Sequence, residues 1–505
     1  MMSSDRIVLG YMLVAVPPGK IFGGERFLLD YASYFKSNSQ KFCIKDIKIF
    51  APDTDRPFTF PDAIRKFRGV TFSEVNYMGS SLDTYFFDFS KSLYYILKMF
   101  EKYIYPPGYV RELVTHSPRV LGTKFQELYA LLIKKSLPLK FENTTNIKAL
   151  LVIDKFISPS TSRFLLKVMT SGSFDIKDYT LHFSEEVKEE LKSVDLLHLM
   201  PPFIQVSFSS VRKISKTYKI PLVLNTFAHL SHGFFLPLIR SLKKAIDNSL
   251  ISGILSFTNT EIQAIKTILG LFGKKTLKKF ENVKKDAIPP PLQVSSIIKF
   301  EKRYKSEILL EAEKIRDGYD FVILSSTLHR SKGVLDTAKA VANIAKQSRL
   351  NILMVTFGRR MPHELDAWNT LIKKLKTEAK RFDAMYLGYV SEVKKAALFH
   401  ACDVFSMPSI EDSFGIVYGE AWLRGKPVIG SSSNPVMFEV LDNGRRGLLV
   451  PFGDVKKLSN AIEALITDRQ LAQKIGNTGR QYCYKELDIS KNALKLWKFY
   501  QNVIS

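Results

Sequence analysis

The chain has few cysteines for its length and no long apolar run. Its 505 residues include three cysteines, Cys43, Cys402 and Cys483, which lie far apart and never in a CxxC spacing. That pattern excludes a disulfide framework and a cysteine-rich zinc site, and it is typical of proteins from reducing compartments. No stretch approaches the roughly 18 to 20 continuous apolar residues that a membrane-spanning helix needs. The sequence therefore predicts a cytoplasmic location.

Acidic residues are scarce relative to basic ones. The chain has 74 Lys and Arg against 49 Asp and Glu, a formal net charge of +25. Such an excess favours an acidic partner, namely a nucleic acid, an anionic membrane surface or a phosphate-bearing substrate. No helix-turn-helix, zinc-finger, RRM or KH signature accompanies the charge, so we predict no nucleic-acid partner. Basic and aromatic residues over positions 90–105 instead favour a peripheral location at the inner face of an anionic membrane.

Two common nucleotide-binding motifs, GxxxxGK[ST] and a GxGxxG that opens a helix, are also missing. What the second half contains is an alternation of short apolar runs with segments of helical period, which is typical of parallel βαβ units. Strands are predicted at 320–325, 350–356, 384–388, 404–407 and 427–430, with helices at 333–346, 364–380, 392–400 and 415–423. This pattern predicts an α/β, doubly wound sheet that binds ligands outside the carboxyl ends of its strands.

The first half begins with the same alternation. Strands are predicted at 7–16, 47–51, 149–153, 196–200, 222–226 and 253–257, with a helix at 24–35. A long aromatic stretch at 58–146 interrupts the pattern, and we interpret it as an insertion that contains an amphipathic helix at 90–105. A lysine-rich segment at 266–285, followed by three prolines, marks the approach to the linker. We predict domains at 1–295 and 296–488, with a helix at 489–505 that packs back towards the first.

The most informative segment follows the strand predicted at 404–407. Asp412 lies in a tight loop, Gly415 allows a ligand to approach the backbone, and Glu420 lies in the second turn of the next helix. The free N–H groups at a helix start attract phosphate, whereas ionised carboxylates act only as acceptors. Glu420 is therefore placed to accept hydrogen bonds from ribose hydroxyls, and Asp412 from a sugar attached beyond the phosphates.

This segment resembles the carboxylate-x7-carboxylate signature of the GT-B-fold retaining glycosyltransferases of family 4. The signature is present as Asp412-x7-Glu420, and the runs at 425–429 and 447–451 are similar to the family nearly residue for residue. The resemblance is strong over 323–466. It implies two Rossmann-like domains that face a central cleft, with acceptor binding in the first and donor binding in the second.

Two further motifs extend the resemblance. Leu328-x3-Lys332-Gly333 is similar to the family's phosphate-binding loop, and Gly23-Gly24 is similar to its GGxER turn. The implied reaction is retaining transfer of a sugar from a nucleoside-diphosphate sugar to a glycan, lipid-linked or protein acceptor, with no metal or other cofactor. Lys332 is the first candidate to stabilise negative charge on the departing diphosphate.

The resemblance implies the following site residues. Candidate catalytic residues are Lys332, Asp412 and His229, with His198 and His232 as alternatives to His229. Candidate donor-binding residues are Gly23, Gly24, Arg330, Lys332, Asp412, Ser413, Phe414, Gly415, Ile416 and Glu420.

The chain also departs from the family pattern. Asp412 stands where the family usually has Glu, and its neighbour Glu411 is an alternative. Thr327 stands where an arginine usually joins the lysine on the diphosphate, so Arg330, Arg359 or Arg360 would have to replace that charge. The missing arginine supports an alternative hypothesis, a catalytically weak or inactive glycosyltransferase-like scaffold that binds a nucleotide sugar.

Overall fold

A computed structural model of the chain describes residues 7–13, 23–52, 71–78, 180–182, 185–200, 216–226, 242–270, 272–360, 364–410 and 412–505. The chain divides into two compact units, the first formed by residues 1–288 and 493–505 and the second by 289–492. The helix predicted at 90–105, the strand predicted at 149–153, and His229, His232 and Glu411 lie outside the described residues.

The first unit contains an eight-stranded sheet. Its strands are β1 (Ile7–Leu13), β2 (Ile44–Pro52), β3 (Thr71–Met78), β4 (Thr180–His182), β5 (Leu196–Met200), β6 (Leu222–Asn225), β7 (Gly253–Ser256) and β8 (Lys284–Ala287). They are arranged in the order β4-β3-β2-β1-β5-β6-β7-β8. Neighbours run parallel, except that β3 and β4 are antiparallel. Its helices are α1 (Gly23–Ser37), α2 (Glu185–Lys192), α3 (Asn259–Gly270) and α4 (Lys274–Asn282), and residues 216–218 and 242–247 are also helical.

The second unit contains a six-stranded parallel sheet. Its strands are β9 (Phe321–Leu328), β10 (Ile352–Arg360), β11 (Phe382–Tyr386), β12 (Val404–Ser406), β13 (Val428–Ser431) and β14 (Leu448–Val450), in the order β11-β10-β9-β12-β13-β14. Its helices are α5 (Val294–Arg303), α6 (Lys305–Arg316), α7 (Val334–Gln347), α8 (Glu364–Glu378), α9 (Glu392–Ala401), α10 (Ile416–Leu423), α11 (Val436–Val440), α12 (Val455–Thr467) and α13 (Arg469–Tyr482). Short 3-10 turns at Arg330–Lys332 and Asp442–Gly444 and a π turn at Cys483–Leu487 complete it.

Helix α7 shows why this sequence forms the second core. Its buried apolar residues Val334, Ala338, Val341 and Ala345 recur at helical spacing, which places them on one face of the helix. That face packs in the core cluster with β9 and β10 residues such as Ile323. The burial of this face positions the start of α7, and therefore the loop before it, at the carboxyl end of β9.

The last helix, α14 (Ile489–Ile504), belongs to the first unit from Ala493 onwards. Phe499 lies against β7 at Gly253, where an added Cβ would come within 2.9 Å of the ring. The hydroxyl of Tyr500 lies 2.7 Å from Nδ1 of His198 in β5. Burial of aromatic rings contributes heavily to core stability, so the final helix is part of the core of the first unit.

One sequence-based interpretation of the first unit differs from the structure in detail. The predicted insertion from residue 58 contains β3, which pairs in parallel with β2, so the sheet continues further along the chain than predicted. The lysine-rich segment at 266–285 leads into β8, which forms the edge of the sheet shortly before the first unit's continuous part ends at Ile288. Lysines are common on edge strands because they discourage pairing with other chains, and they hide the strand pattern in the sequence.

Candidate functional site

Two loops of the second unit meet at the carboxyl ends of its central strands. One follows β9 and contains the turn Arg330–Lys332, and the other follows β12 and leads into α10. Strands β9 and β12 are neighbours at the point where the strand order reverses, which is where doubly wound sheets bind ligands. The backbone N–H of Ile410 donates to the carbonyl of Ser331 at 2.9 Å and ties the two loops together.

Gly333 allows this close approach. Its φ is +71°, and a Cβ added to it would lie 2.6 Å from Cγ of Pro408 and 2.9 Å from the Pro408 carbonyl oxygen. Both the backbone conformation and the contact therefore require glycine. The packing of Gly333 on the loop after β12 brings the side chain that precedes this glycine within reach of a side chain in that loop.

The side chains brought together are those of Lys332 and Asp412. Nζ of Lys332 lies 3.0 Å from Oδ2 of Asp412, and the two side chains are 19% and 18% exposed. Asn434 donates from Nδ2 to the backbone carbonyl of Asp412 at 2.9 Å, which fixes the loop from its other side. Because the pair is largely shielded from water, its attraction is stronger than that of a surface ion pair. The predicted phosphate-binding and sugar-binding residues are therefore direct neighbours.

Helix α10 begins beside this pair. Gly415 is its N-cap with φ of 76°, and within the described part of the chain no side chain caps this end. A Cβ on Gly415 would lie 2.6 Å from the ring of Tyr418, whose hydroxyl donates to the carbonyl of Met407. Ser413 and Phe414 are buried in the loop, and Ile416 is the first helical residue. Uncapped N–H groups at a helix start form a natural anion site.

Glu420 lies in the second turn of α10 and is paired with a cation that the sequence analysis missed. Its Oε1 accepts from Nζ of Lys395 in α9 at 3.2 Å. The side chain of Glu420 is 14% exposed. The pairing joins α10, which contains the second carboxylate of the motif, to the preceding helix α9, and a separation of 25 residues gives no sequence spacing that indicates it.

Arg330, predicted to bind the donor, is held by another unpredicted residue. Its Nε donates to Oε1 of Glu364 at 2.9 Å, and Arg330 is 49% exposed whereas Glu364 is buried. Thr327 has φ of 64°, a left-handed conformation that is uncommon for a β-branched residue. The end of β10 contains Arg359 and Arg360. Arg330, which lies in the same turn as Lys332, is thus positioned by the buried carboxylate of Glu364.

The described candidate site residues of the first unit lie on two different elements, helix α1 and strand β5. Gly23 and Gly24 are the first two residues of α1. His198 is fully buried in β5, and this burial lowers its pKa to about 3. Its ring packs with Tyr11 and Tyr500. A neutral histidine enclosed by aromatic rings is a core side chain, which argues against His198 as the alternative to His229.

Other site types are not found in the part of the chain that the structure describes. None of the helices described there combines the length and the apolar character needed to cross a bilayer. Within the same residues, no three His, Cys, Asp or Glu side chains are grouped as metal ligands.

Comparison with known proteins identifies the family of the second unit. Residues 305–482 match the family described as Glycosyl transferases group 1. A phosphatidyl-myo-inositol mannosyltransferase of Mycobacterium leprae is 34% identical over 119 residues, 23% of this chain and 31% of that protein. An N-acetyl-alpha-D-glucosaminyl L-malate synthase of Bacillus anthracis is 25% identical over 224 residues, 43% of this chain and 56% of that protein. The matches thus span about a third and about half of these relatives.

Solved structures are similar over almost the whole chain. The HepE protein of Anabaena, in complex with UDP and glucose, has a TM-score of 0.57 at 15% identity and covers 98% of this chain and 100% of its own. The sucrose-phosphate synthase of Thermosynechococcus elongatus has a TM-score of 0.58 at 14% identity and covers 99% of both chains. At these identities the likeness establishes the fold, which is GT-B. The site built from the loops after β9 and β12 therefore lies in a group 1 glycosyl transferase domain, within a chain of the GT-B fold.

Proposed function

We propose that the protein is a retaining glycosyltransferase that uses a nucleoside-diphosphate sugar and transfers the sugar to a glycan, lipid-linked or protein acceptor. The observation that carries this proposal is the 3.0 Å pair of Lys332 and Asp412 beside the uncapped start of α10. A cation, a helix N-terminus and a hydrogen-bond-accepting carboxylate therefore lie together at the carboxyl ends of the central strands. These are the groups that a sugar diphosphate needs.

Each part of the donor has a matching group. The diphosphate would lie at the start of α10, where helix N–H groups attract anions, and would compete with Asp412 for Lys332. The hydroxyls of the donor sugar would then donate hydrogen bonds to the Asp412 carboxylate. Glu420, further along the same helix, would accept from the ribose. The positive groups of the site would thus face the diphosphate, and its two carboxylates would face the hydroxyls of the sugar and the ribose on either side.

The role proposed for Lys332 follows from the charge that develops in the reaction. The bond between the anomeric carbon and the diphosphate oxygen breaks, and its electron pair leaves with the diphosphate. A preorganised cation at that oxygen lowers the barrier because it is already oriented before the charge appears. In a retaining transfer the acceptor oxygen becomes bonded to the anomeric carbon on the face that the diphosphate leaves, and the proton of the acceptor hydroxyl passes to the departing diphosphate oxygen.

The direct test is donor binding followed by turnover. UDP-, GDP- and ADP-sugars would be screened for thermal stabilisation, beginning with UDP-glucose because the similar HepE structure contains UDP and glucose. A ligand at 100 times its dissociation constant adds about 2.7 kcal/mol to stability. The stabilising donor would then be assayed for transfer and for slow hydrolysis. If no nucleotide sugar stabilises the folded protein, the proposal is wrong.

A binding scaffold is the second candidate, and Thr327 is the observation that favours it. The resemblance places an arginine at this position, and a threonine supplies no charge to the diphosphate. A wild-type protein that binds a donor but shows neither transfer to any acceptor nor slow donor hydrolysis would support the scaffold over the enzyme.

We also propose that the acceptor is reached at an anionic membrane surface. The support is the net charge of +25 together with α4, where Lys274, Lys275 and Lys278 are exposed while Thr276 and Phe280 are buried. Attraction between polybasic surfaces and anionic lipid decays within a Debye length of about 10 Å at roughly 0.1 M salt. Flotation with anionic liposomes should recover the protein at low salt and lose it as salt rises. Equal recovery with neutral liposomes would contradict the proposal.

A further inference from the structure

Lys395 contacts the carboxylate that we propose for ribose binding. It lies in the first turn of α9, with Nζ 3.2 Å from Oε1 of Glu420 and 2.9 Å from Oε2 of Glu392. Lys395 and Glu420 are 15% and 14% exposed, whereas Glu392 is 66% exposed. Shielded charges attract more strongly than solvated ones. The contact with Glu420 is therefore the stronger constraint on the ammonium.

Helix stability explains this lysine only in small part, because its i,i+3 pair with the exposed Glu392 stabilises a helix only weakly. A cation in the first turn lies at the positive end of the helix dipole, where it is unfavourable. Lys394, in the same turn, is paired with Glu311 of α6 at 2.6 Å, and both of these side chains are about a third exposed. That pair lies outside the site, whereas Lys395 reaches α10 and the site carboxylate. The two neighbouring lysines therefore form a natural comparison, one outside the site and one inside it.

We propose that Lys395 is a positioning residue that holds Glu420 in the orientation that accepts the hydroxyls of a nucleotide ribose. An ammonium is a compact cation with three donors and no acceptor, so it engages Oε1 and leaves Oε2 for the ribose. Without Lys395, Glu420 would gain rotamer freedom and would be repelled by Glu392. The inference rests on the proposed function and deepens it, because it assigns the preference for a ribonucleotide to one lysine.

The experiment compares ligands that differ only in the ribose hydroxyls. Dissociation constants for UDP and 2′,3′-dideoxy-UDP would be measured by calorimetry, with the GDP and ADP pairs in parallel. Hydrogen bonds to a charged group are worth on the order of tenfold or more in affinity, so the wild type should prefer the ribose form by about that factor. Lys395→Met should reduce the preference to about twofold or less, with little change in dideoxy affinity. Lys394→Met should keep the wild-type preference.

Two further variants make the result specific. Lys395→Gln keeps an uncharged NH2 group that can still donate and should show an intermediate preference. It replaces the Met variant in the test if that variant does not fold. In a Glu420→Gln background, Lys395→Met should cause no further loss, because coupled residues are not additive. A Lys395→Met variant that keeps the wild-type preference, or a wild type that binds both ribose forms equally, overturns the inference and leaves diphosphate binding intact. A wild type that binds none of the six nucleotides overturns the proposed function itself.

Discussion

In the first unit β1 lies between β2 and β5, and in the second unit β9 lies between β10 and β12, so both sheets reverse their strand order beside their first strand. In the second unit the described side chains after these strands include the ion pair of Lys332 and Asp412. In the first unit the residues directly after β1 and β5 lie outside the described ranges, and within β5 the described His198 is buried and contacts Tyr500. Among the described residues, the second unit thus has a charged site at its reversal, and the first unit has a neutral, aromatic part of its core there.

Strand order therefore determines where on a doubly wound sheet a ligand can bind, but it does not determine which ligand binds there. The binding edge follows from the parallel strands, whereas the charges come from the residues that follow them. In the second unit those residues are a basic turn after β9 and a loop containing Asp412 after β12. The following substitutions test two parts of this comparison. Those at Lys332, Glu420 and Thr327 test whether residues of the second unit carry the chemistry, and the one at His198 tests whether this residue of the first unit contributes to stability.

The largest effect should come from Lys332→Ala. If Lys332 stabilises the departing diphosphate, kcat should fall at least 100- to 1,000-fold, the order found when one preorganised donor is removed. Folding should change less than kcat does, because Asp412, left without the lysine, is 18% exposed and can still be hydrated. Steady-state kinetics with the donor from the screen measures this. Lys339→Ala, which removes a lysine paired with Asp336 on α7, is the matched control and should stay active. A Lys332→Ala enzyme with full activity would remove the charged pair from the mechanism.

Glu420→Ala should have the next largest effect, on donor binding more than on folding. The helix tolerates alanine well, while loss of hydrogen bonds to a carboxylate should weaken donor affinity about 10- to 100-fold. Calorimetry of the folded variant measures the affinity. Glu378→Ala removes another glutamate paired with a lysine in the same unit and should bind as the wild type does. Unchanged affinity in Glu420→Ala would show that the ribose contact is wrong.

His198→Asn should change the pH dependence of stability in the first unit. Burial lowers the pKa of His198 to about 3 from an ordinary value of 6.5, so the unfolded chain binds a proton that the folded protein does not. Stability is therefore lost as pH falls below about 6.5, by about 2 kcal/mol at pH 5. Asn can still engage the Tyr500 hydroxyl but does not titrate. Urea unfolding at pH 6.5 and pH 5 should show a smaller loss for the variant, and an equal loss would assign the dependence to other groups.

The smallest effects concern Thr327. Its φ of 64° is strained for a β-branched residue, so Thr327→Asn and Thr327→Arg should each raise stability by up to about 1 kcal/mol. Only arginine adds charge to the loop. Thermal unfolding and kinetics of both variants separate the two effects. Activity of Thr327→Arg equal to or above that of Thr327→Asn is expected if the loop binds phosphate, and lower activity would argue that it does not.

Much of the second unit was predictable because its periodicity and its motif coincide. The helix that contains Glu420 and the loop that contains Asp412 were both placed from one short segment, since Gly415 marks the boundary between them. Lys395 and Glu364 were not predicted, because each meets its partner through tertiary packing rather than sequence spacing.

The first unit was harder to predict for a different reason. Strand β8 has the sequence KKDA, and exposed lysines on an edge strand conceal the apolar alternation that predicts a strand. The histidine candidates could not be separated by sequence, because burial by residues hundreds of positions away decides the state of His198. Tyr500, which hydrogen-bonds to it, lies 302 positions away in the sequence.

The return of α14 to the first unit has a consequence for synthesis of the chain. Phe499 covers Gly253, and Tyr500 contacts His198, so strands made early depend on side chains that are made after the whole second unit. Domains generally fold from the N-terminus as they emerge from the ribosome. Here the second unit, residues 289–492, emerges complete while the first still lacks α14. The first unit therefore completes its core only after the second unit has been synthesised, and a nascent chain paused before residue 493 would present its uncovered strands to chaperones.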